Sequence, residues 1–364
     1  STTVARLKQA GAIIVGTFKL HQFAFGAAIN PHWGVSRNPW NREYVTSGSS
    51  SGSGAAVSAS LIFGSLGTDT GGSIRGPASF CGIVGIKPTY GRVSRFGVFP
   101  LSWSLDHAGP MTKTVKDTAI MLNAIAGYDP KDSTTSTLPV PDYTASLTGD
   151  IKGVRLGVLK EYYSELIDPE VKAAVETAVK ELEKLGALAE EISIPSLSQA
   201  ATASTSILLS EAASIHEEWI KTRPEDYDPQ VRERVRQGQL TMATEYLKAQ
   251  RFRALVSQEV SEALKRVDAL ILPTSRTPPY KIGAETVKIE DKEIEIRKLF
   301  GFTSIFNLTG LPAISIPCGF SESGLPIGLQ IAGRPFEEEM VLRIAHAYEA
   351  HTPWHSRRPP IEGD

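Results

Sequence analysis

Short apolar runs, each bounded by glycine or polar residues, alternate with amphipathic segments along most of this chain. Compact apolar runs of this kind are typical of strands that are buried inside a sheet. The pattern predicts strands at 12–16 (AIIVG), 154–161 (VRLGVLKE), 187–192 (ALAEEI), 268–274 (DALILPT), 313–320 (AISIPCGF) and 328–333 (GLQIAG).

The segments between these runs favour helices. Apolar residues recur at helical spacing in 168–185 and 337–350, and small and apolar residues predict a buried helix at 55–63. Residues 196–265 carry charges of mixed sign and few glycines, which predicts a layer of helices over one side of the sheet. The alternation predicts an α/β fold with a central mixed, largely parallel β-sheet that helices cover on both faces.

Charge and composition exclude several classes of function. The 364 residues include 38 Lys and Arg against 40 Asp and Glu, so the net charge of −2 gives no electrostatic footprint for nucleic acid. No apolar run approaches the roughly 20 residues that cross a bilayer, and the first residues lack the features of a signal peptide. With two cysteines, the chain is expected to be soluble and cytoplasmic, without nucleic-acid or membrane partners.

A Gly/Ser-rich region offers candidate chemistry in two motifs, SGSSSGSGAAV (47–57) and GTDTGGSIRGPASFCG (67–82). Gly71 and Gly72 allow a sharp turn that brings successive N–H groups to one point, before a helix predicted to start near Ser73. An oxyanion hole requires this geometry, with Ser73 as the nucleophile.

Two other interpretations of these motifs remain open. Residues 47–54 could be a flexible linker and 67–73 an ordinary turn. Alternatively, residues 48–52 match the G-x-S-x-G nucleophile elbow with Ser50 at its centre, although the preceding NPWNREYVTS is not the apolar strand that such an elbow follows. The seven histidines form no ligand pair at metal-binding spacing, so neither a metal nor a Ser-His-Asp triad is indicated.

The run GTDTGGSIRGPASFCGIVGIKPTYGRVSRFGVFPLSWSLDHAGPMTKTVKD (67–117) resembles the signature of the amidase signature family, and GSSSGSGAAV is similar to that family's upstream motif. The resemblance implies a Ser, cis-Ser, Lys triad, with Ser73 as the acylated nucleophile and Ser49 as the bridging serine after a cis Gly48–Ser49 peptide bond. It implies oxyanion donors and bracing side chains as well. The donors are Thr70, Gly71, Gly72 and Ser73, and the bracing residues are Asp69, Arg75 and Ser50.

The same resemblance implies a single domain over 1–364, with a signature core at 47–117 and a helical layer on the substrate side at about 196–265. The family's catalytic lysine lies further upstream of the nucleophile than residue 1 lies from Ser73. The expectation is therefore a domain that lacks an N-terminal segment, because Lys19 and Lys87 occupy positions that the family does not use for catalysis.

The expected function is an amidohydrolase that cleaves a linear carboxamide to a carboxylic acid and ammonia or an amine through a serine acyl-enzyme, with esterase side activity. Its partner is a small-molecule amide, no cofactor is implied, and a homodimer is compatible with the sequence. One alternative is the glutaminase subunit of a tRNA-dependent amidotransferase, ranked lower because 238–256 lacks a Tyr-rich helix. The other is a non-catalytic binding or scaffold protein without the lysine.

Overall fold

The structure, a computed structural model, describes residues 1–26, 29, 30, 32–163, 166–296, 299 and 301–361. Its helices are α1 (Thr2–Gln9), α2 (Ser51–Ser58), α3 (Arg75–Cys81), α4 (Val115–Ile125), α5 (Lys160–Tyr163), α6 (Pro169–Lys184), α7 (Leu197–Ile215), α8 (Glu217–Thr222), α9 (Pro229–Gln239), α10 (Ala243–Arg266), α11 (Gly301–Leu308) and α12 (Glu338–Ala350). Its strands are β1 (Ile29–Asn30), β2 (Gly34–Val35), β3 (Arg37–Asn38), β4 (Asn41–Val45), β5 (Gly64–Asp69), β6 (Val84–Lys87), β7 (His107–Thr112), β8 (Arg155–Leu159), β9 (Leu188–Ile192), β10 (Ala269–Pro273), β11 (Thr286–Ile289), β12 (Lys292–Glu295), β13 (Ala313–Phe320) and β14 (Pro326–Ala332).

Within the described residues, eight strands form one sheet in the order β5-β7-β6-β13-β14-β10-β8-β9. The predicted α/β fold with a mixed sheet is confirmed. The parallel pairings join β8 to β9 and β8 to β10, and the other five pairings are antiparallel. The sheet therefore has fewer parallel pairings than the sequence predicts. Alternation of strands and helices does not fix strand direction, and a short connection such as that from β13 to β14 requires antiparallel neighbours.

Several predicted elements form close to their predicted bounds, including α6, α12 and strands β8, β9, β10, β13 and β14. Helix α6 shows why. The Asp168 side chain accepts a hydrogen bond from the N–H of Glu170 and caps the helix, and a proline occupies the first helical position. Its buried residues recur at helical spacing and pack into the main core at Val171, Val175, Ala178 and Leu182.

The predicted strand at 12–16 is wrong. This segment has no strand partner among the described residues, and Ile13 and Val15 are 88% and 69% exposed. No hydrogen bond from elsewhere in the described ranges reaches the backbone of 13–18. An apolar run becomes a buried strand only where a neighbouring strand supplies its backbone partners, and sequence periodicity does not report that neighbour.

The polar strand pairs β1–β2, β3–β4 and β11–β12 were not predicted, because they lack the apolar runs that marked the central strands. The buried helix predicted at 55–63 instead begins at Ser51 and ends at Ser58. The helix predicted near Ser73 begins at Arg75. None of the helices within the described ranges is long and apolar enough to span a membrane.

Strand β5 and helix α3 place the nucleophile loop. Strand β5 runs along one edge of the sheet and ends at Asp69, the loop 70–74 follows, and α3 then packs against β6, β13 and β14. Every residue of α3 is buried. The loop is therefore held at both ends by buried elements while its centre remains partly exposed.

Candidate active site

The two Gly/Ser motifs lie against each other. The N–H of Ser50 donates to the carbonyl oxygen of Ser73 at 3.3 Å. The Ser50 hydroxyl also contacts the backbone of Thr68 on β5, at 3.3 Å from both its oxygen and its nitrogen. The Gly48–Ser49 peptide bond is cis, as the resemblance implies. The structure therefore brings together two segments that the sequence separates by a whole helix.

Ser49 and Ser73 differ in their exposure. Ser49 is 3% exposed, and its hydroxyl has no hydrogen-bond partner among the described residues. Ser73 is partly exposed. The direct hydrogen bond between the two hydroxyls that a proton relay requires is thus not formed here. Catalytic hydrogen bonds are often long before substrate binds, and they tighten in the complex.

The predicted oxyanion donors are not equivalent. The N–H of Gly72 donates to the Asp69 carboxylate at 2.7 Å, so this group points into the protein, which corrects the expectation of four donors. The N–H groups of Gly71 and Ser73 have no acceptor among the residues that the structure describes. Both residues are partly exposed, so these two groups are available to a ligand.

Gly72 has a φ of +132°, and a Cβ there would lie 2.2 Å from Thr303 Oγ1. The Thr303 hydroxyl donates to the carbonyl oxygen of Gly71 at 2.5 Å. A glycine is required at position 72 for both its backbone conformation and its close approach to α11.

Below the loop, Asp69 and Arg75 form a fully buried ion pair at 2.9 Å. The carboxylate also accepts from the N–H of Ile74 at 3.1 Å. Burial alone would raise the pKa of the Asp69 carboxyl, but the Arg75 guanidinium holds it well below its usual value. The pair fixes both ends of the loop, since one partner ends β5 and the other begins α3.

Sequence reasoning missed the residues that complete this network. Asn307 Nδ2 donates to the Asp69 carboxylate at 2.9 Å, and Asn307 Oδ1 accepts from Arg75 at 2.7 Å. Gln330 Oε1 accepts a further guanidinium hydrogen bond at 2.6 Å. The available signal was an amide side chain within an apolar segment, because a buried amide requires partners.

Asp106 was missed as well. Its Oδ1 accepts the hydroxyl of Thr70 at 2.6 Å, and burial raises the pKa of this carboxyl. A third missed residue is His21, whose N–H donates to the carbonyl oxygen of Ser49 at 3.2 Å. Its ring lies so close to Gly48 that a Cβ there would be 2.0 Å from Cε1, and burial lowers the pKa of His21 to about 4.

Neither lysine considered from the sequence contacts a catalytic serine in the described part of the chain. Lys87 is fully buried, and its ammonium donates to the carbonyl oxygens of Pro88 at 3.0 Å and Leu311 at 2.5 Å. Burial lowers the pKa of Lys87 well below its usual value. Lys19 approaches the site only through its backbone, whose oxygen accepts from the N–H of Gly52 at 2.9 Å.

Known proteins share this sequence and architecture. A profile of the Amidase family matches residues 1–342. The A-type subunit of the glutamyl-tRNA(Gln) amidotransferase of Geobacter metallireducens is 45% identical over 385 aligned residues, which cover 99% of this chain and 79% of that protein.

Two solved structures extend the comparison. The corresponding glutamyl-tRNA(Gln) amidotransferase subunit from Thermotoga maritima is 40% identical with a TM-score of 0.85, covering 97% of this chain and 76% of that one. A 6-aminohexanoate cyclic dimer hydrolase complexed with substrate is 29% identical with a TM-score of 0.90, covering 100% of this chain and 80% of that one.

The chain belongs to the amidase family. It is accordingly a hydrolase that acts on amide C–N bonds. Within the described ranges, no group of three or more His, Cys, Asp or Glu is arranged to hold a metal ion.

Proposed function

We propose that this chain hydrolyses a linear carboxamide through an acyl-enzyme on Ser73. The observation that carries the proposal is the junction of the two motifs, where the loop of Ser49 contacts the backbone of the partly exposed Ser73. On the same turn, the N–H groups of Gly71 and Ser73 have no acceptor among the described residues. This combination supplies a nucleophile, a second hydroxyl and oxyanion donors.

The steps follow from these groups. Ser49 passes its proton to a base and accepts the proton of Ser73, whose oxygen attacks the amide carbonyl carbon. The N–H groups of Gly71 and Ser73 hold the negative oxygen. The proton returns along the relay to the amide nitrogen, the C–N bond breaks, and the amine or ammonia leaves. Water then attacks the acyl-enzyme by the reverse route and releases the acid.

The resemblance assigns the role of base to a lysine. Lys87 donates to two backbone carbonyls, and the Lys19 side chain is exposed, so neither contacts Ser49 or Ser73 in the described part of the chain. We infer that the lysine that accepts the proton is neither of these two. We also infer that residues 1–364 belong to one amidase domain whose helical layer, at about 196–265, covers the substrate side.

Serine substitutions test the assignment. Ser73→Ala is expected to abolish amide turnover and fluorophosphonate labelling, and Ser49→Ala is expected to reduce both by about 100-fold or more. Ser53→Ala is the matched control, because Ser53 is a buried serine of α2 whose hydroxyl donates to the carbonyl oxygen of Leu66, at 3.1 Å. Turnover retained by folded Ser73→Ala, or lost equally in Ser53→Ala, would refute the proposal.

A second candidate is the glutaminase subunit of a tRNA-dependent amidotransferase. The 45% identity to a subunit of such an enzyme favours it, and it would add protein partners to the small amide substrate. Release of ammonia from glutamine only in the presence of the other amidotransferase subunits would support this role. Turnover of simple aliphatic or aryl amides by the chain alone would favour the first proposal.

A further inference from the structure

The loop 101–106 connects the nucleophile turn to the helical layer. At its near end, Asp106 holds Thr70 through a hydrogen bond of 2.6 Å. The other oxygen of the same carboxylate accepts from the N–H groups of Leu101 at 2.8 Å and Ser102 at 3.0 Å. Asp106 is buried, so the position of Thr70 depends on the conformation of this loop.

At the far end, Glu211 of α7 holds the loop. Its Oε2 accepts from the hydroxyl of Ser102 at 2.6 Å and from the N–H of Ser104 at 2.9 Å. Its Oε1 accepts from the hydroxyl of Ser104 at 2.7 Å and from the hydroxyl of Tyr246 at 2.9 Å. These four donors match the acceptor capacity of a carboxylate, which fixes the geometry as well as the charge.

Helix α10 supports the same contact. Tyr246, which donates to Glu211, itself accepts from Gln250 Nε2 at 2.9 Å. Further along the helix, Arg253 donates to the carbonyl oxygen of Ser104 at 3.1 Å. A continuous series of hydrogen bonds thus runs from α10 through Glu211, the loop and Asp106 to Thr70, the residue before the oxyanion turn.

We propose that Glu211 is a positioning residue for acyl transfer, through which helices α7 and α10 fix the oxyanion turn. The inference rests on the proposed function. Oxyanion donors act only within hydrogen-bond distance of the developing charge, and a displacement of about 1 Å costs about 100-fold in rate. Loss of Glu211 leaves the hydroxyls of Ser102 and Ser104 without their acceptor and releases the loop that holds Asp106.

A purely structural role predicts a different result, which a matched carboxylate reveals. Glu259 of α10 accepts a hydrogen bond from the hydroxyl of Ser196, the residue before α7. It therefore also joins α7 to α10, but it makes no hydrogen bond to loop 101–106 among the described residues. Glu259→Gln weakens the helical layer without releasing the loop.

The experiment compares kcat, KM and the unfolding midpoint for Glu211→Ala, Glu211→Gln, Tyr246→Phe and Glu259→Gln on one amide substrate. We expect kcat to fall about 10- to 100-fold in Glu211→Ala and at least about 10-fold in Glu211→Gln, with little change in KM. We expect less than about a 5-fold loss in Tyr246→Phe, which removes one donor of four, and no loss in Glu259→Gln.

Normal kcat in folded Glu211→Gln would overturn the inference, as would equal losses in Glu211→Gln and Glu259→Gln at equal destabilisation. Should Glu211→Ala fail to fold, Glu211→Gln carries the same comparison. Absence of turnover in the unmodified chain with its base supplied would overturn the proposed function. The two failures are thus distinguishable, because only the second removes activity from every variant.

Discussion

Replacement of Arg75 by methionine tests the buried ion pair below the nucleophile loop. Arg75 and Asp69 are both 0% exposed, and the guanidinium also donates to Asn307, Gln330 and the carbonyl oxygen of Thr303. Methionine retains an unbranched apolar chain but leaves the Asp69 carboxylate buried without a counter-charge. Removal of one partner of a buried pair costs about 3–5 kcal/mol, a large part of the roughly 5–15 kcal/mol that stabilises a folded protein.

The pH dependence should change sign. In the unmodified chain the pKa of Asp69 is depressed, so its contribution to stability is present above the unfolded pKa of about 3.9 and is lost as pH falls through the folded value. Without Arg75, burial raises the pKa of the same carboxyl above its unfolded value. The folded variant then binds a proton more readily than the unfolded chain, so we expect Arg75→Met to gain stability as pH falls from about 8 towards about 5.

The assay is urea unfolding at about pH 8 and about pH 5.5, with the double variant Asp69→Asn/Arg75→Met to measure the coupling. Arg155→Met is the control, because the Arg155–Asp268 pair has the same 2.9 Å distance but an arginine that is 46% exposed. We expect the control to lose less than about 1 kcal/mol. The reasoning fails if Arg75→Met loses no more than the control, or if its stability falls with pH in parallel with the unmodified chain.

Two further predictions concern the loop and the carboxyl end of α12. Gly72→Ala should cost about 1–3 kcal/mol and slow fluorophosphonate labelling of Ser73, because its φ is +132° and its Cβ would meet Thr303, whereas a Cβ at Gly71 meets nothing within 4 Å; equal labelling in Gly71→Ala and Gly72→Ala would contradict this. Burial raises the pKa of Glu349 to about 7, so stability should fall as pH rises from about 4 to about 7, and Glu349→Gln should raise the Tm at about pH 8 more than at about pH 5. Calorimetry at both values checks this, and an equal difference in Tm would exclude it.

The accuracy of the sequence-based predictions depended on where each element finds its partners. Helix α6 carries its own cap, its proline and its apolar face, so its bounds follow from local sequence. The run at 12–16 looks equally apolar, yet its strand would depend on a neighbour, and it lies exposed. Strand direction was likewise hidden, since an apolar run reads the same in parallel and antiparallel sheets.

The sequence by itself determined the local chemistry: the glycines that allow the turn at 71–72, the serines on two nearby motifs, and the polar pair at Asp69 and Arg75. The tertiary structure decided which of these groups are engaged. It turned the N–H of Gly72 inward and brought Asn307 to Asp69 from 238 positions away. It also linked the loop at 101–106 to Glu211. Spacing along a chain reports backbone conformation and burial, but a buried charge or amide is satisfied by whichever distant residues the fold places beside it.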